Sequence, residues 1–395
     1  MYENIFPENT NALKGESAFE VLAKAKAIEA KGTKVVHLEI GEPDFPTPPH
    51  IVQAGTDAMK NGMTKYIQVD GLPELKTAIA NNFNIRNNVE VRPEEIIVTP
   101  GGKPVMYYTI LALVKPGDEV LCPDPGFSTY RSVIGYAGGT PVFYGLREEN
   151  DFRLDISELK SLITSKTKLI IINSPNNPTG SILTKADLEA LAKLASEHRI
   201  FVLSDEIYDQ IYYDEKPVSF ATMPGMKDLT IILNGFSKSY SMTGWRLGYM
   251  IAHKEIIDVV QRMMVNSVSC TPPFTQFAGI AALEGPQDCV AEMVAEFRKR
   301  RDFIVAGLNA IKGIKCLTPG GAFYVFPNIK DTGLTSKECA DFLIDSAATA
   351  VVSGATFGSV GEGYIRLSYA NSLENIEIAL AHIEEAFKKL NLGGI

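Results

Sequence analysis

The sequence lacks the features that mark nucleic-acid-binding, secreted and membrane-spanning proteins. Its 395 residues carry a net charge of −9 and no block of Lys or Arg, whereas nucleic-acid binding needs a clustered positive surface. No apolar run approaches the roughly 20 residues of a membrane helix. The first residues, Met1-Tyr2-Glu3-Asn4, lack the basic and apolar regions of a signal peptide. We therefore expect a cytoplasmic protein that binds neither nucleic acid nor membrane.

Metal and nucleotide motifs are also missing. The five cysteines are scattered without a CxxC pair, so we expect neither a metal site nor a disulfide framework. There is no GxxxxGK[ST], and no GxGxxG follows a first strand. The glycine-rich run from Gly354 to Gly363 is interpreted as a plain loop. With 45% hydrophobic and 22% charged residues, the composition is that of a soluble globular protein, and the length suggests two or three domains.

Buried strands alternate with helical patterns through the middle of the chain, which predicts an α/β fold. Strands that are apolar throughout imply a largely parallel sheet covered by helices on both faces. Further helices and strands after residue 286 suggest a smaller α+β domain. We predict an arm and part of the small domain over 1–48, the large domain over 49–290 and the rest of the small domain over 291–395. The predicted strands of the sheet cover 95–99, 119–122, 169–173, 201–204, 230–233 and 247–252.

Lys238 lies between the last two of these apolar runs, so we expect it on a buried turn between two strands. Burial disfavours the charged ammonium, and a neutral lysine is a nucleophile of the type that forms Schiff bases. Eight residues later, Arg246 offers a planar fork suited to a phosphate. The pair is interpreted as a lysine holding an aldehyde cofactor and an arginine holding its phosphate. The alternative is a surface turn with two unrelated cations.

Polar residues follow almost every predicted strand, at the sheet edge where α/β proteins bind ligands. Gly101-Gly102-Lys103 precedes Pro104, which is expected at the first helical position, and free amides at a helix N-terminus suit a phosphate. The alternative is a tight turn. Asp205 directly follows a buried strand and needs a cationic partner, such as a protonated pyridine nitrogen. The alternative for Asp205 is a helix cap.

Three further residues complete a ring-binding set. Tyr208 is expected on the same helical face as Asp205 and could hydrogen-bond a phenolic oxygen, as could Asn177. Phe127 could stack on the ring or could be plain core. A phosphate cradle, partners for a ring nitrogen and a ring oxygen, a stacking ring and a buried lysine together match pyridoxal 5′-phosphate and little else.

With these motifs in order, the chain resembles the class I aminotransferases, fold-type I pyridoxal-phosphate enzymes, over nearly its whole length. The similarity is to the prokaryotic-type aspartate aminotransferases and their aromatic and alanine relatives. The matching motifs are Gly-Glu-Pro-Asp-Phe at 41–45, Gly-Gly-Lys at 101–103, Asn-Asn-Pro-Thr-Gly at 176–180, Ser-Asp-Glu-Ile-Tyr at 204–208, Ser-Lys at 237–238, Thr-Gly-Trp-Arg-Leu-Gly at 243–248 and Ile-Arg-Leu-Ser at 365–368.

The resemblance implies a role for each matching residue. Lys238 would be the Schiff-base lysine and proton carrier, Asp205 would pair with the ring nitrogen, and Tyr208 and Asn177 would bind the ring oxygen. The phosphate would be held by Ser237, Arg246 and the amides around Gly101, Gly102 and Lys103. Tyr66 would reach the phosphate of the neighbouring subunit, which makes a homodimer the expected working unit. By the same analogy, Asp124–Pro125 and Asn177–Pro178 would be cis.

The resemblance also implies a substrate site. Arg366 would clamp the α-carboxylate, with Gly41 and Asn177 beside it. A distal carboxylate would be read by Lys103 and by a Ser-x-Thr, in which Ser17 aligns with the serine and Phe19 replaces the threonine. We therefore expect glutamate as amino donor, and an oxo acid that is less acidic than oxaloacetate or bulkier. The alternative is an ordinary aspartate aminotransferase in which Phe19 points away.

Two other functions are compatible with parts of this pattern. A carbon–sulfur β-lyase or an eliminating synthase would use the same cofactor residues. A transcription regulator with an aminotransferase-like domain would need an added DNA-binding domain, and the match begins near residue 15, so we do not expect one.

Overall fold

The computed structural model describes residues 5–392. Twelve strands lie within that part of the chain: β1 (Val36–His37), β2 (Ile96–Thr99), β3 (Glu119–Asp124), β4 (Thr140–Gly145), β5 (Thr167–Asn173), β6 (Phe201–Asp205), β7 (Thr230–Gly235), β8 (Gly248–Ile251), β9 (Tyr324–Val325), β10 (Thr349–Ala350), β11 (Val352–Ser353) and β12 (Ile365–Ser368).

The described residues also form twelve α-helices, which alternate with the strands through the middle of the chain. They are α1 (Ser17–Glu29), α2 (Pro49–Lys60), α3 (Pro73–Asn87), α4 (Gly102–Leu113), α5 (Thr129–Tyr136), α6 (Ile156–Leu162), α7 (Lys185–His198), α8 (Lys254–Val265), α9 (Pro273–Glu284), α10 (Asp288–Ala310), α11 (Ser336–Ser346) and α12 (Leu373–Leu392).

A seven-stranded sheet in the order β2-β8-β7-β6-β5-β3-β4 forms the centre of the molecule. All neighbouring pairs are parallel except those made by β8, which is antiparallel to β2 and β7. The predicted fold class is therefore confirmed. In β5, Ile170 and Ile172 pack into one apolar cluster, while Leu169 and Ile171 pack into another on the opposite face. Burial on both faces explains why these strands are apolar at every position.

A smaller sheet, β11-β12-β9, is antiparallel and lies in the C-terminal part of the chain. The N-terminal segment joins this part because β1 pairs in parallel with β10, with Val36 opposite Thr349. A separate apolar cluster joins β1, α10, α11 and α12 through residues such as Leu38, Phe297, Leu343 and Ile383. The small α+β domain thus draws on both ends of the chain, whereas the exact boundaries at 48/49 and 290/291 stay predictions.

Several local features differ from the sequence-based expectation. Strand β4 was not predicted, because it is an edge strand whose first four residues are exposed or half-buried and carry no continuous apolar signal. Helix α4 begins at Gly102, so Pro104 is its third residue and not its first. The two predicted cis bonds are confirmed, and Ser174–Pro175 is a third that was not predicted.

The glycine-rich run 354–363 is a fixed loop with one short 3₁₀ helix, Gly354–Phe357. Ser359 donates its amide and hydroxyl hydrogens to the Asp124 carboxylate, both at 2.8 Å, and the Val360 amide donates to it at 3.0 Å. The loop is thereby attached to the end of β3. Among residues 5–392, no helix is both long enough and apolar enough to cross a membrane.

Glu206, directly after β6, is a buried carboxyl group that accepts three hydrogen bonds on one oxygen. The donors are the hydroxyls of Ser204 at 2.9 Å and Ser219 at 3.0 Å and the amide of Phe220 at 3.0 Å. Burial raises the pKa of Glu206 to about 7, with a further contribution from the charge of Asp209. The folded protein therefore holds a proton on Glu206 that the unfolded chain releases near its ordinary pKa of 4.5.

This proton makes stability depend on pH in a defined direction. Because the folded-state pKa is raised, the free energy of unfolding should fall as pH rises from about 4.5 to about 7, by roughly 3 kcal/mol at most. Glu206→Gln removes the titration and keeps a carbonyl acceptor. We expect the Tm of this variant, measured by calorimetry from pH 5 to 9, to decline less than that of the parent. In the control Glu94→Gln, at an exposed glutamate, the Tm should change with pH as in the parent. If the Tm of Glu206→Gln declined with pH as steeply as that of the parent, the raised pKa would not belong to Glu206.

Candidate active site

A cavity of about 860 Å³ opens at the C-terminal ends of β5, β6 and β7. Most of the residues predicted for a ligand site line it: Phe19, Gly41, Gly102, Lys103, Phe127, Asn177, Asp205, Tyr208, Ser237, Lys238, Arg246 and Arg366. Gly101 lies directly beside the lining, whereas Ser17 and Tyr66 are not part of it. The Tyr66 side chain is 87% exposed, as expected of a residue meant for another subunit.

Lys238 lies on the turn between β7 and β8, as predicted, and its amine points into the cavity. Its Nζ donates a hydrogen bond to the carbonyl oxygen of Gly41 at 2.6 Å. Burial lowers the pKa of Lys238 to about 8; the carboxylate of Glu42 opposes the shift, and the cations Arg366, Arg246 and Lys103 add to it. A substantial fraction of this amine is therefore neutral just above physiological pH, which a nucleophile or general base requires.

Asp205 ends β6 with its carboxylate buried at the floor of the cavity. The Tyr130 hydroxyl donates to Oδ2 at 2.6 Å, and the Ile207 amide donates to Oδ1 at 3.2 Å. Burial raises the pKa of Asp205 to about 6, although these hydrogen bonds and the charge of Lys238 oppose the rise. A cationic ring nitrogen placed against it would restore its full charge. The helix-cap alternative is wrong, since turns and no helix follow Asp205.

Tyr208 and Asn177 approach the same part of the cavity from different chain segments. Tyr208 lies on the turn after β6, so its predicted place on a helical face with Asp205 is wrong. Its hydroxyl shares a hydrogen bond of 2.9 Å with the hydroxyl of Tyr324. The backbone amide of Asn177 donates to the side-chain oxygen of Asn173 at 2.8 Å, and the Asn173 side chain donates to the Asp205 carbonyl at 3.0 Å. Asn173 thus links the backbone of Asn177 to the end of β6, whereas the Tyr208 side chain is held by Tyr324.

Arg366, on β12, is a buried cation whose hydrogen bonds are incomplete. Its Nη1 donates to the Asn177 side-chain oxygen at 3.2 Å, and its Nη2 donates to the Glu39 carbonyl oxygen. Its Nε is buried without a hydrogen-bond partner in the described part of the chain. The guanidinium carbon lies 4.7 Å from the ring centroid of Tyr324, and burial lowers the pKa of Arg366. A carboxylate entering the cavity would complete the pairing of this fork.

A third group of residues builds a cradle for a phosphate. Helix α4 begins at Gly102, and Gly102 and Lys103, whose amides are free in its first turn, line the cavity. Gly101 has φ +97°, and a Cβ there would collide with the guanidinium of Arg246, so only glycine fits this close approach. Arg246 is itself held by a bond from Nη1 to the Thr243 carbonyl at 2.8 Å, and Ser237 lines the same corner. Helix amides, a guanidinium and a hydroxyl suit a dianionic phosphate.

Some cavity residues were missed by the sequence analysis. Tyr130, in α5, was not predicted, although its hydroxyl donates to Asp205 at 2.6 Å. His37 contacts two carboxylates, Glu39 through Nδ1 at 2.8 Å and Glu29 through Nε2 at 3.2 Å. Glu16 forms an ion pair with Lys103 in the place expected for Ser17. No motif signals these contacts, because each joins side chains from separate elements: α5 and β6 for Tyr130, and the segments around α1, β1 and α4 for His37 and Glu16.

The donor set of the cavity fits pyridoxal 5′-phosphate on structural grounds. The helix N-terminus and Arg246 suit its phosphate, Asp205 with its raised pKa suits a protonated ring nitrogen, and the amine of Lys238 suits its aldehyde. The unpaired Nε of Arg366 then remains for the carboxylate of a substrate.

Comparison with known proteins also indicates a pyridoxal-phosphate enzyme. Residues 33–383 match the family model for aminotransferase class I and II. The chain belongs to this family. The aspartate aminotransferase of Pyrococcus abyssi is 44% identical over 92% of this chain and 94% of its own. The aromatic-amino-acid aminotransferase 2 of Thermococcus litoralis is 41% identical over 91% and 93% of the two chains. The solved aspartate aminotransferase from Thermus thermophilus with maleate has a TM-score of 0.93 and 36% identity, over 96% of this chain and 99% of that one.

Membership in the family settles the class of reaction and the cofactor. The chain is a pyridoxal-phosphate-dependent aminotransferase that acts on an amino acid and a 2-oxo acid. The eliminating or carbon–sulfur-cleaving alternative is not favoured, because these relatives are aminotransferases.

Asp205 is the residue through which cofactor binding can be tested apart from turnover. Removing one member of a buried ion pair typically costs about 3–5 kcal/mol. We therefore expect Asp205→Ala to weaken pyridoxal-phosphate binding by at least a hundredfold, measured by fluorescence titration of the apoenzyme, and to slow removal of the substrate Cα proton. Asp228→Ala, at an exposed aspartate, is the control. Unchanged affinity and rate in Asp205→Ala would show that the carboxylate has no contact with the cofactor.

Proposed function

We propose that this aminotransferase takes the amino group of L-glutamate and passes it to a 2-oxo acid less acidic than oxaloacetate or bulkier, with Lys238 carrying the proton. The observation that supports it most is the position of the Lys238 amine, whose pKa is lowered to about 8 and which shares one cavity with Asp205, Arg246 and Arg366. When bound, pyridoxal phosphate supplies an aldehyde for the amino group and a ring that withdraws electrons from the substrate Cα.

The residues around the Lys238 amine bind the substrate and transfer its Cα proton. Arg366 binds the α-carboxylate, with Gly41 and Asn177 beside it, which holds the Cα–H bond near Lys238. The Lys238 Nζ, leaving its bond to the Gly41 carbonyl, accepts the Cα proton as a general base and later returns a proton as an acid. Burial, together with the nearby cations, lowers the pKa of Lys238 to about 8, so the neutral base becomes the main form above that pH.

Asp205, Tyr208, Asn177 and Phe127 orient the cofactor in this proposal. The Asp205 carboxylate accepts a hydrogen bond from the Tyr130 hydroxyl that fixes its direction, and it would keep the ring nitrogen protonated. The Tyr208 hydroxyl and the side-chain amide of Asn177 would donate hydrogen bonds to the ring oxygen, and Phe127 would stack on the ring. Ser237, Arg246 and the amides of Gly102 and Lys103 would hold the phosphate, whereas the amide of Gly101 already donates to the Thr99 carbonyl at 2.8 Å.

The proposed working unit is a cytoplasmic homodimer in which Tyr66 reaches the phosphate bound by the partner. Exposure of its side chain and its absence from the cavity of its own chain support this arrangement. Each subunit would comprise the arm and small-domain part over 1–48, the large domain over 49–290 and the remaining small domain over 291–395.

The role of Lys238 is tested by replacing its amine. We expect Lys238→Ala to keep its circular dichroism spectrum and to lose at least a thousandfold in kcat for transfer between glutamate and any 2-oxo acid, because neither base nor acid remains. Lys193→Ala, at an exposed lysine on α7, should retain parental kcat. Turnover near the parental rate in Lys238→Ala would make the assignment wrong.

The shared position of Tyr66 is tested by mixing two defective variants. In a mixed dimer of Tyr66→Ala and Lys238→Ala, one site combines the intact Lys238 of one chain with the intact Tyr66 of the other. After co-refolding equal amounts, we expect activity above that of either variant alone, rising toward roughly a quarter of the parental value. Ile85→Ala, at a residue exposed to a similar extent, should show no loss to rescue. A fully active monomer, or no rescue on mixing, would overturn the shared site.

A further inference from the structure

Lys103, the lysine expected to bind a substrate's distal carboxylate, is already paired with an acidic side chain of this chain. Glu16, the residue before α1, forms an ion pair with Nζ of Lys103 in the first turn of α4. The Glu16 side chain is only 25% exposed, and both residues line the cavity. The Lys103 amine also lies 5.6 Å from the ring centroid of Phe127. Within this chain, therefore, the cation at the side-chain end of the cavity is not free.

The start of α1 determines which residues reach this position. Glu16, Ala18, Phe19, Leu22 and Lys26 line the cavity, whereas the hydroxyl-bearing Ser17 does not. The expectation that Ser17 would help to bind a distal carboxylate is therefore not supported, since a carboxylate stands next to Lys103 instead. A second anion brought to Lys103 would meet Glu16 at close range, and like charges in a partly buried site repel strongly.

The other charged groups at this end of the cavity also have partners. Lys26 donates to Glu29 at 2.8 Å, and Asp44 pairs with Arg300 at 2.7 Å. Glu42 accepts a hydrogen bond from the Thr243 hydroxyl at 2.8 Å. The remaining surface is apolar, formed by Phe19, Leu22, Ile40, Met106 and Phe127. At this end of the cavity Lys103, Lys26 and Asp44 are thus paired with opposite charges, and Glu42 is held by a neutral hydroxyl. The rest of the lining there is apolar or aromatic.

We propose that Glu16 is a specificity-determining residue: it holds Lys103 in place of a substrate's distal carboxylate, so that amino acids with neutral apolar or aromatic side chains are preferred over dicarboxylic ones. The inference rests on the proposed function and deepens it. A substrate with a neutral side chain leaves the Glu16–Lys103 ion pair intact and gains contact with the apolar lining. A dicarboxylic substrate must displace Glu16 from Lys103 and leave that carboxylate without its partner. Glutamate, the proposed donor, must also displace Glu16 from Lys103 in order to bind.

The test compares two classes of substrate in one variant. We expect parental kcat/KM for phenylalanine to exceed that for aspartate, and Glu16→Gln to raise the ratio of aspartate to phenylalanine at least tenfold, because Lys103 becomes free. The ratio of glutamate to phenylalanine should rise in the same way. Glu20→Gln, at an exposed glutamate on the same helix, is the matched control and should leave both ratios unchanged. In the double variant Glu16→Gln/Lys103→Gln the gain should disappear, since it acts through Lys103.

A binding experiment separates this inference from the proposed function. Succinate and 3-phenylpropionate, which carry no amino group, are titrated into the holoenzyme and followed by the cofactor absorbance and by the shift in Tm. We expect Glu16→Gln to tighten succinate binding at least tenfold relative to 3-phenylpropionate. If no amino acid is transaminated, the proposed function fails while this binding ratio still tests Glu16. A parent that prefers aspartate to phenylalanine, or an unchanged binding ratio in Glu16→Gln, overturns the role of Glu16.

Discussion

The hydrogen-bonded register of β5, β6 and β7 is the constraint on which the active site depends. Asn173 lies opposite Asp205 across β5 and β6, and Asp205 lies opposite Leu233 across β6 and β7. Because these strands are parallel and buried on both faces, their polar ends meet at one edge. Lys238 follows within five residues of Leu233, so the same register brings its amine into the cavity that Asp205 lines. Side chains far apart in sequence thus acquire fixed positions without a flexible loop.

The charges gathered at this edge make the site electrostatically incomplete. Lys238, Arg246 and Arg366 line the cavity together with Lys103, which is paired with Glu16. Arg366, Arg246 and Lys103 add to the lowering of the Lys238 pKa by burial. Asp205 has no ion-pair partner among residues 5–392, and burial raises its pKa to about 6. A ligand that carries a phosphate, a cationic ring nitrogen and a carboxylate relieves all of these costs together. The unpaired charges of the cavity therefore indicate which groups the cofactor and the substrate must carry.

Sequence patterns predicted the parts of the site that follow buried strands, because a strand of known direction fixes where its last residue points. The family motifs added Arg366, Gly41 and the two cis prolines that the structure confirms. Prediction failed where the answer depends on packing between elements. Tyr208 was expected on a helix but lies on a turn, and Ser17 was expected in the cavity where Glu16 stands. Tertiary contacts decide whether Tyr208 lies on a turn or a helix, and whether Glu16 or Ser17 faces the cavity. No local sequence pattern contains those contacts.

Cofactor binding and substrate choice have different structural supports. The cofactor side is built on the central sheet, where neighbouring strands hold each position by backbone hydrogen bonds. The side-chain end is built on α1, a helix with a single fully buried residue, Ala25, and an exposed ion pair from Lys24 to Asp341. Substitutions on such a helix surface cost little stability, because few contacts are lost. Relatives of similar overall identity carry the names of aspartate and of aromatic aminotransferases. Phe19 on this peripheral helix and Glu16 directly before it give a physical reason why substrate choice can vary while the sheet that holds the cofactor stays fixed.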